Sequence, residues 1–175
     1  MRLCHLTDLH LTADERFADQ REVLSRIVTE CTELGVHAWL LTGDFFGHHV
    51  PYRSRLEERT ALHEAVARMS YTGPVCVLYG NHDYPGDLDW LADIGMQYPV
   101  RVYSRGTPTG ERIDTADGSF MLYAMPYPTT RWVHGADLTK LEAQAQLQRA
   151  FQTMISCWQE SRRSCGQCAP IYRSR

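Results

Sequence analysis

Three apolar runs in the first half of the chain each break off into a short polar cluster, and that pattern leaves few folds open. Leu3-Cys4-His5-Leu6-Thr7 leads into Asp8-Leu9-His10, Ala38-Trp39-Leu40-Leu41-Thr42 into Gly43-Asp44, and Val75-Cys76-Val77-Leu78-Tyr79 into Gly80-Asn81-His82-Asp83. Short apolar runs bounded by turn formers read as buried strands, at 2–7, 38–42 and 75–79. The stretches between them read as helices. After a loop over 11–17, residues 19–34 carry Val23, Leu24, Ile27, Val28, Cys31 and Leu34 at three- and four-residue steps. Gly35 then stands where a left-handed cap is expected. Residues 55–69 turn Leu56, Leu62, Ala65, Val66 and Met69 inward, and Gly73-Pro74 marks the break before the third run. Strand, helix and parallel strand, done twice, give a right-handed βαβαβ unit and hence an α/β fold. All three clusters fall on the carboxyl-end edge of one sheet, where open α/β sheets bind ligands.

The residue types at that edge point to metal chemistry. Alternation along an extended chain would aim Asp8 and His10 the same way, onto one ion. Gly43 removes a side chain where a metal or phosphate must approach closely. Asp44 beside it could bridge two ions, and Asn81 supplies a neutral carbonyl oxygen. His82 could face a phosphate and give a proton to the leaving oxygen. Asp83 is expected to orient an imidazole from behind. Hard oxygen donors mixed with imidazole suit manganese, iron or zinc, and paired ions of this kind drive in-line displacement at phosphorus. Taken singly, each cluster is an ordinary turn or helix cap after a strand. Three on successive parallel strands imply a metal-dependent phosphoesterase.

The remainder is less patterned. A short helix is expected over 87–94, strands over 100–103 and 119–124, an edge pairing at Arg112-Ile113-Asp114, and a helix over 138–154. The last has Leu138, Leu141, Ala145 and Ala150 or Phe151 on one face. Beyond Cys157 periodicity ends, and from Ser161 onward the arginines Arg162, Arg163, Arg173 and Arg175 occur without an acid. The expected organisation is one domain over 1–156 and an irregular tail over 157–175. Cys165-Gly166-Gln167-Cys168 has neither the thioredoxin-like context nor the two extra ligands that redox or zinc chemistry needs. Cys4, Cys31 and Cys76 lie in apolar segments and read as buried thiols. A net charge of -3 gives no general attraction to nucleic acid, so any DNA contact must rest on a local patch and bound metal. The chain has no apolar run of the ~20 residues that a membrane span needs. Its first residues enter a strand directly without a signal-peptide layout, which makes the cytoplasm the expected compartment.

Asp8-Leu9-His10, Gly43-Asp44 and Gly80-Asn81-His82-Asp83 resemble the first three motifs of the calcineurin-like metallophosphoesterase superfamily. Within it, His5-Leu6-Thr7-Asp8-Leu9-His10-Leu11, Gly43-Asp44-Phe45-Phe46 and Met125-Pro126-Tyr127-Pro128 resemble the SbcD type of DNA double-strand-break repair nuclease, over about 1–151. That resemblance implies two divalent ions, manganese foremost, with iron or zinc as alternatives. It implies a first ion on Asp8, His10 and Asp44, a second on Asp44 and Asn81, and His82 as catalytic acid without binding metal. It further implies DNA as substrate, a homodimer, and an SbcC-type SMC-like ATPase as partner. His48 and His49 fall near a position where related nucleases carry a histidine, and an exposed loop pair is the alternative. Later family motifs supply further histidines, one from a fourth motif and two from a Gly-His-x-His. After His82 this chain has only His134, read as a surface histidine, and no His-x-His. The expectation is therefore a truncated family core, lacking the C-terminal half of the sandwich, with an incomplete second metal site. A small-molecule phosphomonoesterase, a cyclic-nucleotide phosphodiesterase and a non-catalytic fragment stay open as alternatives.

Overall fold

Four parallel strands form the floor of the molecule in the order β1-β2-β3-β4. A computed structural model describes residues 1–47, 54–128 and 139–164, with 162–164 described by backbone alone. The strands are β1 (Leu3–Leu6), β2 (Ala38–Thr42), β3 (Val75–Leu78) and β4 (Val100–Tyr103). Helix α1 (Phe17–Glu33) links β1 to β2, and α2 (Leu56–Thr72) links β2 to β3. The registers Leu6↔Leu41 and Leu41↔Val77 align the carboxyl ends of β1, β2 and β3. The predicted βαβαβ unit is therefore present, with β4 as a fourth parallel strand.

Burial explains why these segments take these shapes. Trp39, Leu41, Val75 and Val77 project from one sheet face onto Leu24 and Val28 of α1 and Leu62, Val66 and Met69 of α2, all of them buried. Fully burying an aliphatic side chain of this size contributes roughly 1.5–3 kcal/mol, so this layer dominates stability. The indole N–H of Trp39 donates to Oγ1 of Thr72 at 2.9 Å, which keeps that buried ring satisfied. The other face is covered over β3 and β4 by a smaller cluster of Cys76, Tyr103, Ile113 and Ala124.

Several boundaries differ from the sequence reading. Helix α1 starts at Phe17, and its expected inward residues Val23 and Leu34 are exposed, as is Leu56 of α2, because the stripes are narrower than the apolar residues suggest. Residues 89–93 form a 3-10 turn where a helix over 87–94 is expected. Arg112-Ile113-Asp114 pairs, but in a separate antiparallel hairpin of β5 (Glu111–Thr115) and β6 (Gly118–Leu122) instead of at the main sheet's edge. Helix α3 (Lys140–Ser164) continues past Cys157, where the periodicity fades. It stays attached there because the indole of Trp158 donates to the Thr107 carbonyl at 2.7 Å and packs on Tyr123. Leu141 on α3 is exposed, while Ala143 and Met154 are its buried contacts. Among the described residues, no helix is long and apolar enough to cross a membrane.

Candidate metal centre

Strands β1 and β2 end, but their chains stay together for several more residues. The amide of Asp8 donates to the Gly43 carbonyl at 3.2 Å, that of His10 to Asp44 at 3.0 Å, and that of Leu11 to Phe45 at 2.8 Å. Leu11, Phe45 and Phe46 are buried and anchor the far end of this paired stretch. Within it Asp8, His10 and Asp44 have φ of 55°, 44° and 57°. The left-handed region costs an L residue roughly 1–2 kcal/mol. Strain of this kind persists only where the surroundings over-determine it, as the paired backbone and the apolar anchors do here.

The strained turns bring three donors together. One ligand atom each from Asp8, His10 and Asp44 lies within 4.8 Å of the others. The expected convergence of Asp8 and His10 is present, although not by strand alternation. β1 ends at Leu6, and successive left-handed turns aim both side chains at Asp44.

The β3 cluster closes the site from the other side. Gly43 (φ 86°) meets Gly80 backbone to backbone, and a Cβ on Gly43 would lie 2.5 Å from the Gly80 Cα. A Cβ on Gly80 would overlap Oδ1 of Asp44, so the absent side chain leaves that carboxylate its place. Oδ1 of Asp44 also accepts the His82 amide at 3.1 Å. The His82 ring stands edge-to-face against His10, centroids 5.0 Å apart and planes at 89°. Asp83 departs from expectation. Its carboxylate accepts the backbone amides of Gly80 (2.7 Å), Asp44 (2.9 Å) and Phe45 (2.9 Å), where the sequence predicts an imidazole partner. Three amide donors converge on it because the two glycine turns face each other there. Burial raises its pKa above the ordinary carboxylate value, the three amides oppose that shift, and the Asp44 charge adds to it.

Asp8, Asp44 and Asn81 line a cleft of 390 Å³, with Thr7, Thr42, Tyr79 and Gly80. Met125-Pro126-Tyr127-Pro128 and Phe151 of α3 line the same cleft. The Tyr127 amide donates to the Tyr79 carbonyl at 2.8 Å, which seats this segment beside the end of β3. Thr7 was missed in the sequence, and its hydroxyl donates to Oδ2 of Asp8 at 2.6 Å and braces that carboxylate. Asn81 is exposed on the rim. His48, His49, His134 and the Cys165–Cys168 pair lie outside the described residues.

Two carboxylates and an imidazole at this spacing are a donor set for a divalent cation, with hard oxygens and one borderline nitrogen. The space left by Gly80 keeps Asp44 free to serve it. The profile of the calcineurin-like phosphoesterase family matches residues 1–163. The chain belongs to the calcineurin-like phosphoesterase family. No curated protein matches the chain. As a calcineurin-like phosphoesterase it is a metal-dependent phosphoester hydrolase, and among its described residues Asp8, His10 and Asp44 form a group that could hold a metal ion.

Proposed function

We propose that this phosphoesterase cleaves DNA phosphodiesters in the manner of the SbcD nucleases, with Asp8, His10 and Asp44 holding a first manganese ion and Asp44 and Asn81 a second. The observation that carries the reading is the position of Met125-Pro126-Tyr127-Pro128, the segment that resembles this nuclease group, in the same cleft as Asp8, Asp44 and Asn81. Ions held there would supply activated water and neutralise phosphate charge. The chain's own residues position the rest. Asp44 would serve both ions, and its Oδ1 accepts the His82 amide. His82, braced on the His10 ring, gives a proton to the departing ester oxygen. Asp83 fixes the two glycine turns that aim these groups.

The second ion position draws only a shared carboxylate and one amide from the residues named. It is weaker than the first, because ligand number and charge set affinity. Turnover by the chain alone is correspondingly slow. By the same resemblance it works as a homodimer in the cytoplasm with an SbcC-type ATPase. The test compares linear duplex DNA, a nitrophenyl phosphodiester and a nitrophenyl phosphomonoester, with manganese and protein in excess over DNA. Cleavage of DNA and the diester, with the monoester slower, is expected. A monoester preferred over both would replace the nuclease reading with small-molecule phosphatase activity.

A further inference from the structure

We infer that Tyr127 is a stacking platform for a nucleobase, so that the cleft takes a phosphoester carrying a planar aromatic group next to its phosphate. The inference rests on the phosphoesterase reading and names what lies beside the phosphate. The residues that line the cleft are of two kinds. Asp8 and Asp44 bring carboxylates and Asn81 an amide, groups suited to a metal-bound phosphate. Met125, Pro126, Tyr127, Pro128 and Phe151 bring no charged side chain, and Tyr127 is the one among them with a hydroxyl.

Tyr127 in that cleft remains 53% exposed, while its neighbours Pro126 and Pro128 are buried and half-buried. Its backbone is nonetheless fixed. The Tyr127 amide bonds the Tyr79 carbonyl at 2.8 Å, one residue before Gly80-Asn81, and a proline on each side restricts the chain further. An exposed ring on a fixed backbone loses less freedom on stacking than one on a free segment. Base-on-aromatic stacking contributes about 1–3 kcal/mol and tolerates any base, because each presents a π face. The volume of 390 Å³ falls in the range of roughly 300–1,000 Å³ typical of small-ligand pockets. Tyr127 thus acts on which organic group sits beside the phosphate, and Asp8, Asp44 and Asn81 on the phosphate itself.

The test is equilibrium binding of three probes to the manganese-loaded chain: deoxyadenosine monophosphate, deoxyribose 5-phosphate and inorganic phosphate. The intact chain should bind the nucleotide about thirtyfold more tightly than the sugar phosphate, the middle of the range for one stacked base. Tyr127→Ala should erase that difference while leaving deoxyribose 5-phosphate and inorganic phosphate unchanged, and Tyr127→Phe should preserve it. Equal affinities for nucleotide and sugar phosphate in the intact chain, or an equal loss for both in Tyr127→Ala, would overturn the platform while leaving the phosphoesterase reading in place. Failure of all three probes to bind, inorganic phosphate included, would overturn that reading and the platform with it.

Discussion

Asp83 holds Asp44 by its backbone: the Asp44 amide donates to Oδ2 of Asp83 at 2.9 Å, and the Phe45 amide to Oδ1 at 2.9 Å. The Gly80 amide shares Oδ2 at 2.7 Å, so one buried carboxylate ties the turn after β2 to the turn after β3. Asp83→Asn keeps the shape but must turn its NH2 toward Phe45 or toward the other two donors. A buried donor left without an acceptor costs roughly 1–3 kcal/mol, and that is the loss expected in urea unfolding. Manganese affinity should fall as well, because Asp44 loses its anchor. An unchanged midpoint with unchanged affinity would contradict this role for Asp83.

The two glycine turns give a second expectation. Gly43 (φ 86°) and Gly118 (φ 116°) both occupy backbone conformations that disfavour a side chain. Only Gly43 also has a neighbour in the way, since its Cβ would meet the Gly80 Cα at 2.5 Å, whereas nothing lies within 4 Å of a Cβ on Gly118. Gly118→Ala should cost the backbone strain alone, about 1–2 kcal/mol. Gly43→Ala should cost that strain plus roughly 1–3 kcal/mol for overpacking. Denaturant unfolding of the pair measures the difference, and equal losses would mean that the close approach of the turns is not under constraint.

The chain discloses its chemistry where local pattern and topology coincide. The three apolar runs are strands, and Asp8, His10 and Asp44 meet because parallel connections leave no other arrangement for their turns. The means of meeting was not legible. Nothing in Thr7-Asp8-Leu9-His10 signals left-handed backbone, which arises from pairing with Gly43-Asp44-Phe45 thirty-five residues away. The partners of Asp83 are hidden for the same reason, since its three amide donors come from two loops that only the folded sheet brings together. The extent of α3 escaped because its attachment through Met154 and Trp158 is sparse, without a continuous apolar stripe.

Thiol chemistry offers a check on the core that is independent of the site. Cys76 is fully buried between β3 and the hairpin, and burial pushes its thiol pKa up to about 11. Only the thiolate reacts with an alkylating reagent. Its thiolate fraction at pH 8 should therefore be small, growing about tenfold for each pH unit up to that value. Cys4 follows the same rule: burial, with Cys31 Sγ 3.3 Å away, pushes its pKa up to about 12. Peptide mapping after iodoacetamide treatment at pH 8 should find Cys76 and Cys4 unmodified in the native chain and modified in denaturant. Rapid native labelling of Cys76 would contradict the packing of the hairpin on the sheet.

The central claim is that Asp8, His10 and Asp44 form one metal position and that Asp44 extends to a second. Calorimetric titration with manganese tests it most directly, on the intact chain, Asp44→Ala and Asn81→Ala. The intact chain should take up a first ion more tightly than a second, because three donors with an open position make a sound site whereas the second relies on a shared carboxylate and one amide. Asn81→Ala should weaken the second event and spare the first. Asp44→Ala should weaken the first at least tenfold, because one of its three donors is lost, and abolish the second, because no bridging anion then offsets the repulsion between two cations. An Asp44→Ala isotherm matching that of the intact chain, or an Asn81→Ala loss as great as that of Asp44→Ala, would contradict the account.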